Sequence, residues 1–82
     1  MPRRSRIVTL VTIDRKRFGA ELRRRRERAG LTQEALAKKA GTTGNTVARM
    51  ERGELGASLS MAQALAAVLR CRIEDLITRG PK

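Results

Sequence analysis

Residues 30–53 read GLTQEALAKKAGTTGNTVARMERG, and the punctuation inside this stretch decides the fold. Gly30, Gly41 and Gly53 bracket two segments, each long enough for only about two helical turns. Thr32 and Thr43 stand where N-caps belong, and Glu34 falls in the first turn of the first segment, beside the positive end of its dipole. Leu36, Ala37 and Ala40 form the inner face of the first segment; Val47, Met50 and Glu51 form that of the second. Two helices this short, joined by a turn around Gly41, have to cross steeply. Ala37 is small enough to let them approach, Gly41 permits a left-handed turn, and Val47 plugs the space between them. The spacing Gln33-x3-Ala37-x3-Gly41-x5-Val47 is specific as a set, although each residue alone is a weak signal.

The helical period extends on both sides. Upstream, Asp14 caps a helix whose stripe runs Phe18, Leu22, Arg25, Arg26 and Ala29, ended by Gly30. Downstream, residues 54–59 read as a loop, and Ser60 caps a fourth helix with the stripe Met61, Ala64, Leu65, Val68 and Leu69. A last short helix over about 73–78 offers Ile73, Leu76 and Ile77. Residues 7–13, Ile-Val-Thr-Leu-Val-Thr-Ile, carry a strand signature, and no second strand candidate exists. A lone strand cannot satisfy its own backbone. The segment therefore pairs with the same segment of a second copy, docks on the helices, or stays disordered. The expected fold class is all-α, five short helices containing a helix-turn-helix, with an N-terminal extended arm or β-strand. The chain divides into residues 1–13 (basic arm and possible dimerisation strand), 14–78 (the helical domain) and 79–82 (tail).

The 82 residues suffice for one small domain. Lysine and arginine number 19 against 8 acids, a net charge of +11. Histidine, tryptophan and tyrosine are absent, and Cys71 is the only cysteine. Those absences exclude a His/Cys metal cluster, a Ser–His or Cys–His nucleophile pair and a disulfide framework. No enzyme activity, metal or cofactor is expected. A single thiol fits a reducing, cytoplasmic compartment. No apolar run approaches the ~20 residues of a membrane span, and the N-terminal apolar run lacks the cleavage site of a secretory signal. The charge is lopsided: residues 1–28 hold 11 basic and 3 acidic side chains. Such a balance points to a polyanion. An anionic membrane would want a bulky apolar helix face, and the chain has one aromatic residue, Phe18. Nucleic acid is the expected partner.

Residues 17–77 resemble the lambda-repressor-like, Cro/Xre-type helix-turn-helix family. The resemblance is carried by Phe18-Gly19-x-x-Leu22, Gly30-Leu31-Thr32-Gln33-Glu34-x-Leu36-Ala37, Ala40-Gly41-Thr42-Thr43 and Met50-Glu51-Arg52-Gly53, with Leu65-Ala66-x-x-Leu69 and Ile73-x-x-Leu76-Ile77 following. It implies a five-helix lambda-repressor-like bundle that binds double-stranded DNA, usually as a homodimer on a pseudo-palindromic operator. It also implies a transcriptional regulator, commonly a repressor, that is bacterial or phage-encoded and nucleoid-associated. Antitoxins that bind a toxin or other protein partner and repress their own operon reuse the same fold. A nonspecific nucleoid-type protein is a third reading.

On the third helix the outward stripe is Asn45, Ala48, Arg49 and Arg52. Asn45 and Arg49 are the residue types that pair with adenine and guanine edges, and Thr46 reaches either a base edge or a phosphate. The bland alternative is an ordinary solvated face. Gln33 opens the second helix, where free N–H groups favour phosphate, and the resemblance assigns it a grip on the DNA backbone. Thr43 and Arg52 are further phosphate candidates. Gly44 departs from the family, which generally carries a base-reading side chain there. Arg26 and Glu51 fall on inward stripes, where an unpaired charge is costly; the family joins them as a structural ion pair. Arg23, Arg24 and Arg28 add sequence-independent attraction. Arg3, Arg4 and Arg6 form an arm that either enters a minor groove or raises the on-rate. Cys71 is expected as a buried small hydrophobe.

Overall fold

The structure is a computed structural model that describes residues 14–77. Five helices follow one another: α1 (Arg15–Arg28), α2 (Gln33–Ala40), α3 (Gly44–Glu51), α4 (Leu59–Leu69) and α5 (Ile73–Ile77). No strand occurs among the described residues. The strand expected over 7–13, the arm with Arg3, Arg4 and Arg6, and residues 78–82 lie outside them.

Each of the first four helices starts on a side-chain oxygen that takes up an orphan backbone N–H. The Asp14 carboxylate accepts from the amides of Lys16 (3.0 Å) and Arg17 (3.1 Å). The hydroxyls of Thr32, Thr43 and Ser58 accept from Ala35 (3.0 Å), Thr46 (3.2 Å) and Met61 (3.1 Å). The closing turns are equally regular. After α2, Gly41 adopts φ +84°, which lets the Thr42 amide donate to Ala37 O at 2.9 Å. The same closure ends α4, but there Arg70 holds the left-handed conformation, at φ 57°, and Cys71 donates to Ala66 O at 3.0 Å.

Packing then gathers one core. Phe18, Leu22, Leu36, Ala37, Val47, Met50, Ala62, Leu65, Ala66 and Leu76 are buried and drawn from all five helices. α2 packs on α3 and α4, α1 on α3 and α5, and α4 on α5. α1 meets the last turn of α3 through Gly19: a Cβ there would strike the Met50 carbonyl oxygen and come within 2.7 Å of that of Glu51. The approach is therefore possible only for glycine, and it anchors the C-terminal end of α3 against α1.

Three expectations change. Ser58, not Ser60, caps the fourth helix, so the loop closes two residues earlier. The buried face of α4 is Ala62, Leu65 and Ala66, with Met61, Val68 and Leu69 half-buried at its flanks. The helix is apolar on most sides, so periodicity alone does not set its rotation; Ala62 and Ala66 turn inward, where small side chains permit close approach, while Ala67 faces outward. Ala29 is exposed, because α1 is already closing there.

Candidate nucleic-acid interface

α3 is held by its inner face. Val47 is fully buried and Met50 nearly so, and the Glu51 side chain is only 4% exposed. Its neutralising partner is Arg26 of α1, itself 12% exposed. Arg26 donates from Nε to Glu51 Oε2 at 2.6 Å and from Nη2 to Oε1 at 3.1 Å, a two-point fork. Its Nη1 donates to the Leu31 carbonyl at 2.9 Å, so the guanidinium also ties down the turn between α1 and α2. The Glu51 hydrogen bonds raise the Arg26 pKa further above its ordinary value, against the opposing effect of burial.

Gln33 enters the same network. Its Nε2 donates to Glu51 Oε1 at 3.0 Å, so three helices converge on one carboxylate. One amide hydrogen of Gln33 remains for another acceptor. Sequence reasoning placed Gln33 at the helix start and missed this bond, whose partner lies 18 residues away. An acid and a glutamine on facing inner stripes are the only sequence signal for it.

The outward face carries Asn45 (exposed), Ala48 (half-buried), Arg49 and Arg52. Arg49 and Arg52 are 46% and 56% exposed in their side chains. Asn45 and Arg49 stand four residues, one turn, apart. Thr46 is half-buried, its hydroxyl 3.0 Å from that of Thr43. The shared bond uses one of the two hydroxyl protons and leaves the other for a nearby acceptor. Gly44 opens the helix, and a Cβ there would meet Glu34 Cγ at 2.8 Å, so Glu34 occupies the space that a side chain at 44 would need. Glu54, just past the helix, was not singled out in the sequence. Its carboxylate takes Arg52 Nε at 2.8 Å and lies 3.8 Å from Arg49 Nε.

Elsewhere on α1 the arginines are less free than their number suggests. Arg24 and Arg25 both reach the Glu21 carboxylate at 2.6 Å, and Arg23 meets Glu27 at 3.0 Å. The hydrogen bond from Arg24 holds the Glu21 carboxyl below its usual range, against the effect of burial. Cys71 is half-buried, and its desolvation raises the thiol pKa. No group of three His, Cys, Asp or Glu among the described residues is placed to hold a metal ion, and none of their helices is long and apolar enough to cross a membrane.

Comparison with known proteins agrees with this geometry. A family model for the helix-turn-helix domain matches residues 17–77. An HTH-type transcriptional regulator of Archaeoglobus fulgidus, itself uncharacterized, is 44% identical over 55 residues, covering 67% of this chain and 79% of its own. The restriction-modification controller protein C.AhdI from Aeromonas hydrophila superposes with a TM-score of 0.75 at 36% identity, over 78% of this chain and 97% of that one. The P22 c2 repressor, solved in complex with a synthetic operator, gives a TM-score of 0.71 at 28% identity, over 73% and 91%. The hydroxypropylphosphonic acid epoxidase of S. wedmorenis also matches (TM-score 0.74, 34% identity), but over only 35% of its chain. The family model over residues 17–77, together with the likeness to these regulators, shows that the chain belongs to the lambda-repressor-like, Cro/Xre-type helix-turn-helix family.

Proposed function

We propose that the protein is a sequence-specific, duplex-DNA-binding transcriptional regulator, a repressor that acts as a homodimer with α3 in the major groove. The observation that carries this reading is the exposed pair Asn45 and Arg49, one turn apart on a helix whose other face is locked into the core by Val47, Met50 and Glu51. An amide and a guanidinium so placed match the edges of adenine and guanine, each good bidentate pair giving ~1–3 kcal/mol of discrimination. Thr43, Thr46 and the remaining amide hydrogen of Gln33 supply donors for phosphate or a base edge, and phosphate contacts fix register without reading sequence; Arg52 stands at the rim of the same face with its Nε and Nη2 on Glu54. The net charge of +11 speeds encounter with DNA.

A single eight-residue helix reaches few base edges. Two copies on half-sites about one helical turn apart, ~34 Å, double the recognised sequence, which supports the dimer. The test is selection of bound sites from a random duplex pool, followed by titration of Arg49→Ala. The expected outcome is a two-fold-symmetric consensus, a loss of ~1–3 kcal/mol on the best site and relaxed choice at one base pair. Full affinity and an unchanged consensus in Arg49→Ala would remove α3 from the interface.

A further inference from the structure

Glu54 lies at the edge of the DNA-facing stripe, and the backbone rather than its own side chain puts it there. Gly53 takes φ +79°, turning the chain back so that the Glu54 amide donates to Arg49 O at 2.9 Å. The carboxylate thereby lands beside both outward arginines. Arg52 meets it with Nε at 2.8 Å and Nη2 at 3.1 Å, the same two-point geometry a guanidinium offers a phosphate. Arg49 turns Nε toward it at 3.8 Å, beyond hydrogen-bond range but close enough to attract. The terminal nitrogens of Arg49 hydrogen-bond to nothing among the described residues. The three side chains are about half exposed, so these contacts are exchangeable. The hydrogen bond from Arg52 holds the Glu54 carboxyl below its usual range, which keeps it anionic near neutral pH.

We infer that Glu54 is a specificity-determining residue: it withholds Arg52 from phosphates while leaving the terminal fork of Arg49 open to a guanine edge. The inference rests on the DNA-binding reading above. Nonspecific duplex attracts through phosphate charge alone. On such DNA Arg52 can turn its two-point fork to a phosphate only by abandoning Glu54, whose own charge then repels the backbone. On a cognate site Arg49 pairs with a base through nitrogens that Glu54 does not occupy, and the attraction at Nε persists and orients the guanidinium. The acid therefore penalises the nonspecific complex more than the specific one.

Glu54→Gln keeps the side-chain shape and removes the charge. Full-length wild type and Glu54→Gln are titrated, across a salt series, onto the duplex selected by wild type and onto a duplex of random sequence. The variant is expected to bind the random duplex about three- to tenfold more tightly, with a log K against log salt slope steeper by about one. The selected duplex gains less, so the ratio of the two affinities falls, while thermal melts of the two proteins coincide. Equal gains on both duplexes, or no gain on either, overturn the inference and leave the DNA-binding reading standing. Wild type that shows no preference for any duplex overturns both.

Discussion

Glu51 and Arg26 carry opposite charges into a region where their side chains are 4% and 12% exposed. Removing one partner of such a pair costs ~3–5 kcal/mol, because the other is left charged without compensation. A small domain holds only ~5–15 kcal/mol in total. Glu51→Ala is therefore predicted to lower the urea midpoint severely, and an unchanged midpoint would mean that water solvates Arg26 in its place. Gly19 is equally intolerant: Gly19→Ala pushes a methyl group into the carbonyls of Met50 and Glu51 and should cost ~1–3 kcal/mol of overpacking. Arg70 offers the opposite sign. Its left-handed φ of 57° costs a side-chain-bearing residue ~1–2 kcal/mol, part of which glycine returns as unfolded-state entropy. Arg70→Gly should raise stability by ~0.5–1 kcal/mol in the same denaturation assay, and a loss would show that the Arg70 side chain makes a compensating contact.

The helices are too short to be stable alone; α2 and α3 have eight residues each, below the ~12–15 at which isolated helices become even marginal in water. Their caps and their packing have to act together. The two serines at the start of α4 separate these contributions. Ser58 caps the helix by accepting from the Met61 amide, whereas Ser60 lies inside the first turn with its hydroxyl 3.3 Å from that of Ser58. Ser58→Ala is predicted to cost ~0.5–2 kcal/mol, and Ser60→Ala to stay within ~0.5 kcal/mol. Thermal melts of the two variants decide it; the reverse order would return the cap to Ser60.

Across the whole molecule, charge is the main liability. Nineteen basic groups surround eight acids, and part of the acidic complement is spent neutralising arginines on α1 and behind α3. The Glu21 carboxyl is depressed chiefly by its hydrogen bond from Arg24. A group with a lowered folded pKa contributes fully above its unfolded value, near ordinary glutamate, and loses that contribution as pH falls through the folded value. Below that range protonation of the acids also drives the net charge from +11 toward the +19 of the basic residues. The melting temperature is therefore expected to drop steeply below about pH 5 and to recover in part on adding salt, which screens the repulsion. Calorimetric melts over a pH and salt grid test this; a melting temperature indifferent to salt at acid pH would show that net repulsion is not the cause.

Helix existence, order and the turn at Gly41 were readable from the residues, because caps and left-handed closures act within about four residues along the chain. Asp14, Thr32, Thr43 and Gly41 all work at that range. The face of α3 was readable too, since Val47, Met50 and Glu51 repeat at helical spacing against the polar Asn45, Arg49 and Arg52. The rotation of α4 was not: its sequence is apolar nearly all round, and the choice between Ser58 and Ser60 depended on which alanines could approach the rest of the core. Nor could composition reveal that Gln33 and Arg26 share the Glu51 carboxylate, or that Glu54 engages Arg52 beside Arg49. Periodicity assigns a side chain to a face, but which polar groups meet on that face is set by how separate helices pack. A carboxylate takes its partners from whatever donors that packing brings within about 3 Å.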